Sequence, residues 1–128
     1  DRVTTGAVHI FNGSCSSWSH QATLSASDGE ASDFFGSRVE LDGDVIVVGA
    51  HVEDTGGTSA GSGYIFTRSG TSWTQAKKIQ SSEVEAHDNF SNSVDIDVST
   101  GTVIAGAYYE DTAGTQDGAG SAYTFVAG

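Results

Sequence analysis

The chain has 128 residues, enough for one small domain, and sets 17 acidic side chains against 5 basic ones. With a net charge of −12 and Lys77-Lys78 as its single adjacent basic pair, it lacks the clustered cations that a phosphate backbone requires, so no nucleic acid partner is expected. No apolar run is long enough to span a bilayer, and abundant Gly, Ser and Thr indicate many turns between short strands.

In chain order, residues 6–12 read as a strand. The turn-like run Asn12-Gly13-Ser14-Cys15-Ser16-Ser17 leads to a second strand at 18–25. An acidic loop with Asp28, Glu30 and Asp33 follows. Residues 35–41 form the next expected strand, with Phe35, Val39 and Leu41 on one apolar face. Asp42-Gly43-Asp44 makes a tight hairpin turn. The run Val45-Ile46-Val47-Val48-Gly49-Ala50 is apolar on both faces and is expected to be buried on both. Residues 53–61 are a loop rich in Gly, Thr and Ser, residues 62–68 a strand, Ser69-Gly70-Thr71 a turn, and residues 72–80 a further strand. A second acidic loop carries Glu83, Glu85 and Asp88 before the pattern resumes and runs to residue 126. No segment has convincing helical periodicity.

The resumption is a repeat. Trp18 corresponds to Trp73, Phe35 to Phe90, Val39 to Val94, Gly49-Ala50 to Gly106-Ala107, Glu53-Asp54-Thr55 to Glu110-Asp111-Thr112, and Tyr64-Ile65-Phe66 to Tyr123-Thr124-Phe125. The block Gly6-Ala7-Val8-His9-Ile10-Phe11 is a third copy of the last of these, with His9 in the tyrosine position, where it is expected to pack. A four-stranded unit repeating every ~55 residues points to propeller blades, about two and a quarter of them here. Residues 6–25 are a partial blade (third and fourth strands), 34–80 a full blade, and 90–126 a partial blade (first to third strands). The terminal units are then expected to expose strand edges and apolar side chains, and to pair with other copies of the chain or with the rest of a longer polypeptide. The absence of an initiator Met fits a processed chain or a piece of something longer.

The strings Asp28-Gly29-Glu30-Ala31-Ser32-Asp33-Phe34-Phe35-Gly36, Val39-Glu40-Leu41-Asp42-Gly43-Asp44 and Val47-Val48-Gly49-Ala50 resemble the FG-GAP repeat, the blade unit of integrin α-chain propellers and of many secreted bacterial proteins. The second unit is similar through Asp88-Asn89-Phe90-Ser91-Asn92-Ser93-Val94 and Ile104-Ala105-Gly106-Ala107. His51 and Tyr108 stand where the family usually has proline, and Ser91 replaces a glycine. The resemblance implies an all-β fold of four-stranded antiparallel propeller blades, an extracellular or cell-surface location, and calcium in the hairpin between the first two strands of some members. Here Asp42-Gly43-Asp44 is too short to wrap an ion, and the segment from Asp95 to Gly101 lacks the third and closing acids.

Two readings apply to Asp28, Glu30, Asp33, Glu83, Glu85 and Asp88, with Glu53-Asp54 and Glu110-Asp111 at the same blade end. They bind a cation such as calcium, or a partner's basic group; or they cap turns by accepting backbone N–H bonds. Asp54-Thr55-Gly56 is not an aspartic-protease triplet, because that chemistry needs two carboxylates sharing a proton in an apolar frame. Gly57-Thr58-Ser59-Ala60-Gly61 spells a nucleophile elbow without the helix that must follow. The four histidines lack metal-ligand spacing. Trp18, Trp73, Phe11, Phe66 and Phe125 recur at fixed places and read as core or inter-blade packing. Tyr108-Tyr109 breaks the repeat and is the candidate contact for a glycan or protein. Asn12-Gly13-Ser14 and Asn89-Phe90-Ser91 fit the glycosylation sequon, with Asn12 the better acceptor because it lies in a turn. The lone Cys15 is an inert thiol, an intermolecular disulfide partner or a nucleophile, with no basic neighbour in sequence to activate it.

The expected protein is therefore a non-catalytic extracellular structural or adhesion module. The alternatives are a calcium-dependent adhesin or lectin, and an accessory domain of a secreted hydrolase.

Overall fold

The run Val45-Ile46-Val47-Val48-Gly49-Ala50 has no polar side chain to offer water on either face, and the computed structural model gives it a neighbour on every side. The structure describes residues 5–111 and 118–127. Among these are nine strands and no helix: β1 (Val8–Ser14), β2 (Ser17–Leu24), β3 (Arg38–Asp42), β4 (Val45–Ala50), β5 (Ser62–Ser69), β6 (Ser72–Ile79), β7 (Phe90–Asp97), β8 (Thr102–Ala107) and β9 (Ser121–Val126). They form three antiparallel sheets in the orders β1-β2, β3-β4-β5-β6 and β7-β8-β9. Paired strands are adjacent in sequence, and short turns join β1 to β2, β3 to β4, β5 to β6 and β7 to β8; Asp42 pairs with Val45 across Gly43, whose φ of 55° is the left-handed backbone that such a turn demands.

The middle sheet is packed on both faces. Toward the first sheet it presents Ile46, Val48, Tyr64 and Phe66, which meet Leu24, Val8 and Ile10. Toward the third it presents Val47 and Ile65, which meet Phe90, Val103, Ala105 and Ala107. β4 lies between these two layers, and five of its six residues are buried.

The joints between sheets repeat as the sequence does. Ser32, Phe34 and Gly36 before β3 have positive φ, as do His87, Asn89 and Ser91 at the matching positions. The left-handed turns bring Phe35 and Phe90 back into the core, at 3 % and 0 % exposure. Ser91 does more than fill a glycine's place. Its hydroxyl donates to the Ser62 carbonyl at 2.5 Å and accepts from the Ala50 N–H at 3.2 Å, so it stitches β4 and β5 to the third sheet. Gly49 allows this approach, because a Cβ there would lie 2.4 Å from the Ser91 carbonyl oxygen. Ser91→Ala leaves two buried backbone groups without this partner and is expected to cost about 1–3 kcal/mol in a urea titration; a loss below the error of that titration would show that the stitch carries no stability.

Three expectations need correction. The first strand of the middle sheet begins at Arg38, not at Phe35, which makes only an isolated parallel bridge to Gly6; the left-handed Phe34 and Gly36 on either side of it break the extended run. Val39 and Leu41 share the face of Ile46 and Val48 yet are 41 % and 58 % exposed, because the two strands of the first sheet cover β4 and β5 but not β3. Phe11, Trp18 and His9 are exposed and not buried in the core, Phe11 and His9 meeting His20 of the neighbouring strand. By the repeat they match Phe66, Trp73 and Tyr64, which face the preceding sheet, and among the described residues no sheet lies on that side of β1-β2.

Candidate functional site

The first acidic loop, the loop after β4 and the ends of β5 and β6 converge on one cluster. Tyr64 of β5 pairs in register with Lys78 of β6, and the lysine ammonium lies 5.6 Å from the centre of the tyrosine ring. Loop residues supply the counter-charge. Lys78 Nζ donates to Asp28 Oδ2 at 2.6 Å, to Glu53 Oε1 at 2.9 Å and to Thr55 Oγ1 at 2.9 Å. Tyr64 donates its hydroxyl proton to Asp28 Oδ1 at 3.0 Å. Glu53 is 4 % exposed and also accepts from the Thr55 N–H at 3.0 Å, from the Thr55 hydroxyl, and from the Ser62 hydroxyl at 2.5 Å. A depression lined by Asp28, Glu30, Asp33, Glu53, Asp54 and Thr55 opens over this cluster.

The electrostatics follow from burial against bonding. Burial alone would raise the Glu53 carboxyl, but hydrogen bonds from Ser62, Thr55 and Lys78, with the lysine charge, outweigh it and hold the group below its ordinary range. Asp28 is lowered for the same reasons, burial opposing and Lys78 and Tyr64 prevailing. Lys78 is raised, because the bonds and charges of Asp28 and Glu53 overcome its desolvation. Asp33 is raised by burial, helped by the charges of Glu53, Asp54 and Asp28. Burial and the Asp28 hydrogen bond push the Tyr64 phenol far up, which keeps it a proton donor.

The two acidic triplets lie in separate loops, and none of the hydrogen bonds or ion pairs among the described residues joins one to the other. In the first, Asp28 is held by Lys78 and Tyr64, Asp33 accepts the Glu30 N–H at 2.6 Å, and the Glu30 side chain is exposed. In the second, Asp88 accepts the Glu85 N–H at 2.6 Å, the Glu83 N–H bonds Ser81 Oγ at 3.2 Å, and the Glu83 and Glu85 side chains are exposed. Asp33 and Asp88 thus cap turns, and Lys78 supplies the cation of the first loop. Among the described residues no three His, Cys, Asp or Glu side chains gather as metal ligands. The hairpin carboxylates accept hydrogen bonds within the chain: Asp44 from Arg68 at 2.8 Å, Asp42 from the Val98 N–H at 2.9 Å, and Asp97 from the Ser99 N–H at 2.8 Å.

Asp54 is exposed and accepts the Ser59 N–H at 2.7 Å, and its repeat partner Asp111 accepts the Gly118 N–H at 2.7 Å, each within its own loop. Thr112 and Ala113, the rest of that second string, lie outside the described residues. Ser59 is followed by β5 and not by a helix. Tyr108 and Tyr109 are both exposed with ring centres 4.2 Å apart, an open aromatic surface beside β8. Cys15 is exposed in the β1–β2 turn. Asn12 is exposed as well, but it lies in β1 opposite Ser19 and not in a turn. Asn89 precedes the fully buried Phe90.

Lys78, Tyr64 and Ser62 are the site residues that the sequence pattern did not disclose. Strict alternation from Trp73 would place Lys77 on the Tyr64 face. A bulge intervenes: Phe66 pairs with Gln75 and Ile65 with Lys77, so Ala76 is skipped and Lys78 lands opposite Tyr64. The first sheet has the same bulge at Gln21, whose Oε1 accepts the Trp73 indole N–H at 3.0 Å.

The model of the FG-GAP repeat matches residues 18–66 and 73–125. No curated protein matches the sequence.

Proposed function

The chain belongs to the FG-GAP repeat family, and from that premise we propose that it is a non-catalytic structural or adhesion module acting outside the cell, its sheets serving as propeller blades that dock on further blades. One observation carries this reading: the stack ends on two unlike faces, each with exposed apolar side chains. At one end the outer side of the first sheet carries Phe11 and Trp18, and the part of the middle sheet that the first sheet leaves uncovered carries Val39 and Leu41; at the other end the third sheet carries Ile104 and Val126, which are 43 % and 71 % exposed. By the repeat, Ile104 stands where Val47 is buried in the middle sheet, and Leu41 stands where Ile96 packs on it. Each open face is therefore of the kind that a neighbouring sheet covers. Unlike faces join head to tail, and such a contact closes into a ring or continues as a filament. Copies of this chain and the blades of a longer polypeptide would use the same two faces. Tyr108 and Tyr109 add an exposed aromatic contact for an extracellular protein or glycan.

Light scattering tests the self-assembling form. The chain is expected to form particles larger than one copy. Leu41→Glu on one face and Ile104→Lys on the other should each reduce the particle to single chains with an unchanged circular-dichroism spectrum, since each places a charge where an apolar side chain is buried. A wild-type particle of one chain overturns self-assembly.

A further inference from the structure

Glu53 and Glu110 occupy matching positions in the repeat, are both 4 % exposed, and are held alike by the backbone: the Glu53 N–H bonds the Ala50 carbonyl at 3.1 Å, and the Glu110 N–H bonds the Ala107 carbonyl at 3.3 Å. Their carboxylates differ. Glu53 is surrounded by donors, including the Lys78 ammonium that reaches it from β6. Glu110 accepts from the Tyr123 hydroxyl on Oε1, while its Oε2 is buried without a partner. Tyr123 matches Tyr64, which donates instead to Asp28. Burial and the Glu110 hydrogen bond raise the Tyr123 phenol, so it stays a donor. A buried carboxylate oxygen without a donor is costly, and it marks a place where a partner belongs.

Among the described residues the third sheet has no strand in the place that would carry that partner. Its order is β7-β8-β9, so β9 is an edge where the middle sheet has β6. In the middle sheet the register sets Tyr64 opposite Lys78, and the same register on β9 sets Tyr123 opposite an incoming residue. None of the described lysines serves there: Lys78 is held by Asp28 and Glu53, and Lys77 Nζ donates to the Val126 carbonyl at 3.1 Å from β6.

We propose that the β9 edge receives an antiparallel strand bearing a lysine opposite Tyr123, whose ammonium pairs with Glu110. The occupant is a strand of β6 chemistry from outside the described residues, recognised by backbone ladder bonds along the edge and by one buried charge pair. This rests on the blade reading above and adds the chemistry that selects the strand.

The probe is a fluorescent peptide spanning residues 70–81 of this same chain, titrated into the full chain and read by anisotropy. Saturable binding is expected. Lys78→Gln in the peptide should weaken it at least about tenfold, because the buried carboxylate then loses its counter-charge. Lys77→Gln should leave it nearly unchanged. Glu110→Gln in the chain, checked by its circular-dichroism spectrum, should abolish the preference for Lys78. The proposal fails if binding is absent or does not saturate. It also fails if the two peptide variants weaken binding equally, since attraction to a chain of net charge −12 then explains the affinity. The peptide variants decide this on the wild-type chain, even if the Glu110 variant does not fold. A chain that binds the peptides in this pattern but stays single in light scattering overturns self-assembly and leaves the lysine-bearing strand standing.

Discussion

Phe90→Ala is expected to lower the unfolding free energy by about 3–5 kcal/mol, because it removes a fully buried ring from the joint between two sheets. The ring lies edge-to-face against Tyr123 at 5.9 Å and Phe125 at 5.8 Å, and it belongs to the cluster that contains Val47, Ile65 and Val103. Its surroundings cannot collapse easily. The Phe90 backbone is fixed by its N–H to the Ala60 carbonyl at 2.8 Å, and it presses on Gly61, where a Cβ would lie 2.3 Å from the Phe90 carbonyl oxygen. The void therefore stays, and both the transfer and the cavity costs apply. Phe34→Ala is the control. That ring is 57 % exposed beside Phe35, and its removal should change stability by no more than about 0.5 kcal/mol. Urea titrations of the two variants decide the matter. Equal effects would mean that the Phe90 joint is not where the sheets are held.

Lys78→Met is expected to cost about 2–4 kcal/mol, the penalty for stranding a buried carboxylate, reduced because the lysine side chain is 21 % exposed. The pH profile separates this from lost packing. Glu53 and Asp28 are held low in the fold, so their contribution is fully present above the unfolded carboxylate range and is lost as pH falls through their folded values, below about pH 4. Asp33 is raised and works in the opposite sense, relieving a penalty on acidification. Lys78 is raised, so its contribution is present below about pH 10.4 and is lost as pH climbs through its folded value. Wild type should thus be most stable between these limits. The methionine variant should lose the alkaline limb, and its deficit should shrink in acid as Glu53 takes up a proton. A deficit that stays constant from acid to alkali would show that packing, not charge, is what Lys78 contributes.

The location of Lys78 illustrates how far sequence pattern reaches. The pair Lys77-Lys78 is visible in the sequence, yet which of the two faces the acids depends on Ala76 being skipped in the ladder, and a single skipped residue exchanges the two faces of a strand. Glu53 is visible as half of an acidic dipeptide, but neither its burial nor the Ser62 hydroxyl that bonds it can be read from neighbours in sequence. The aromatic positions divide similarly. Phe35, Phe66 and Phe90 are buried as their repetition implies, while Phe11, at the repeat position of Phe66, and Trp18, at that of Trp73, are exposed.

The sequence by itself determined the all-β class, the two-sided burial of residues 45–50, the hairpin turns and the FG-GAP repeat, because each rests on local periodicity, turn chemistry or self-similarity along the chain. Only the tertiary structure decided which apolar faces are covered, which lysine neutralises Glu53, and that Glu110 is buried with an oxygen unpaired. Those outcomes depend on what stands across from a residue in another sheet or on the next strand, and a repeat fixes a residue's place within its unit without fixing the neighbour that meets it.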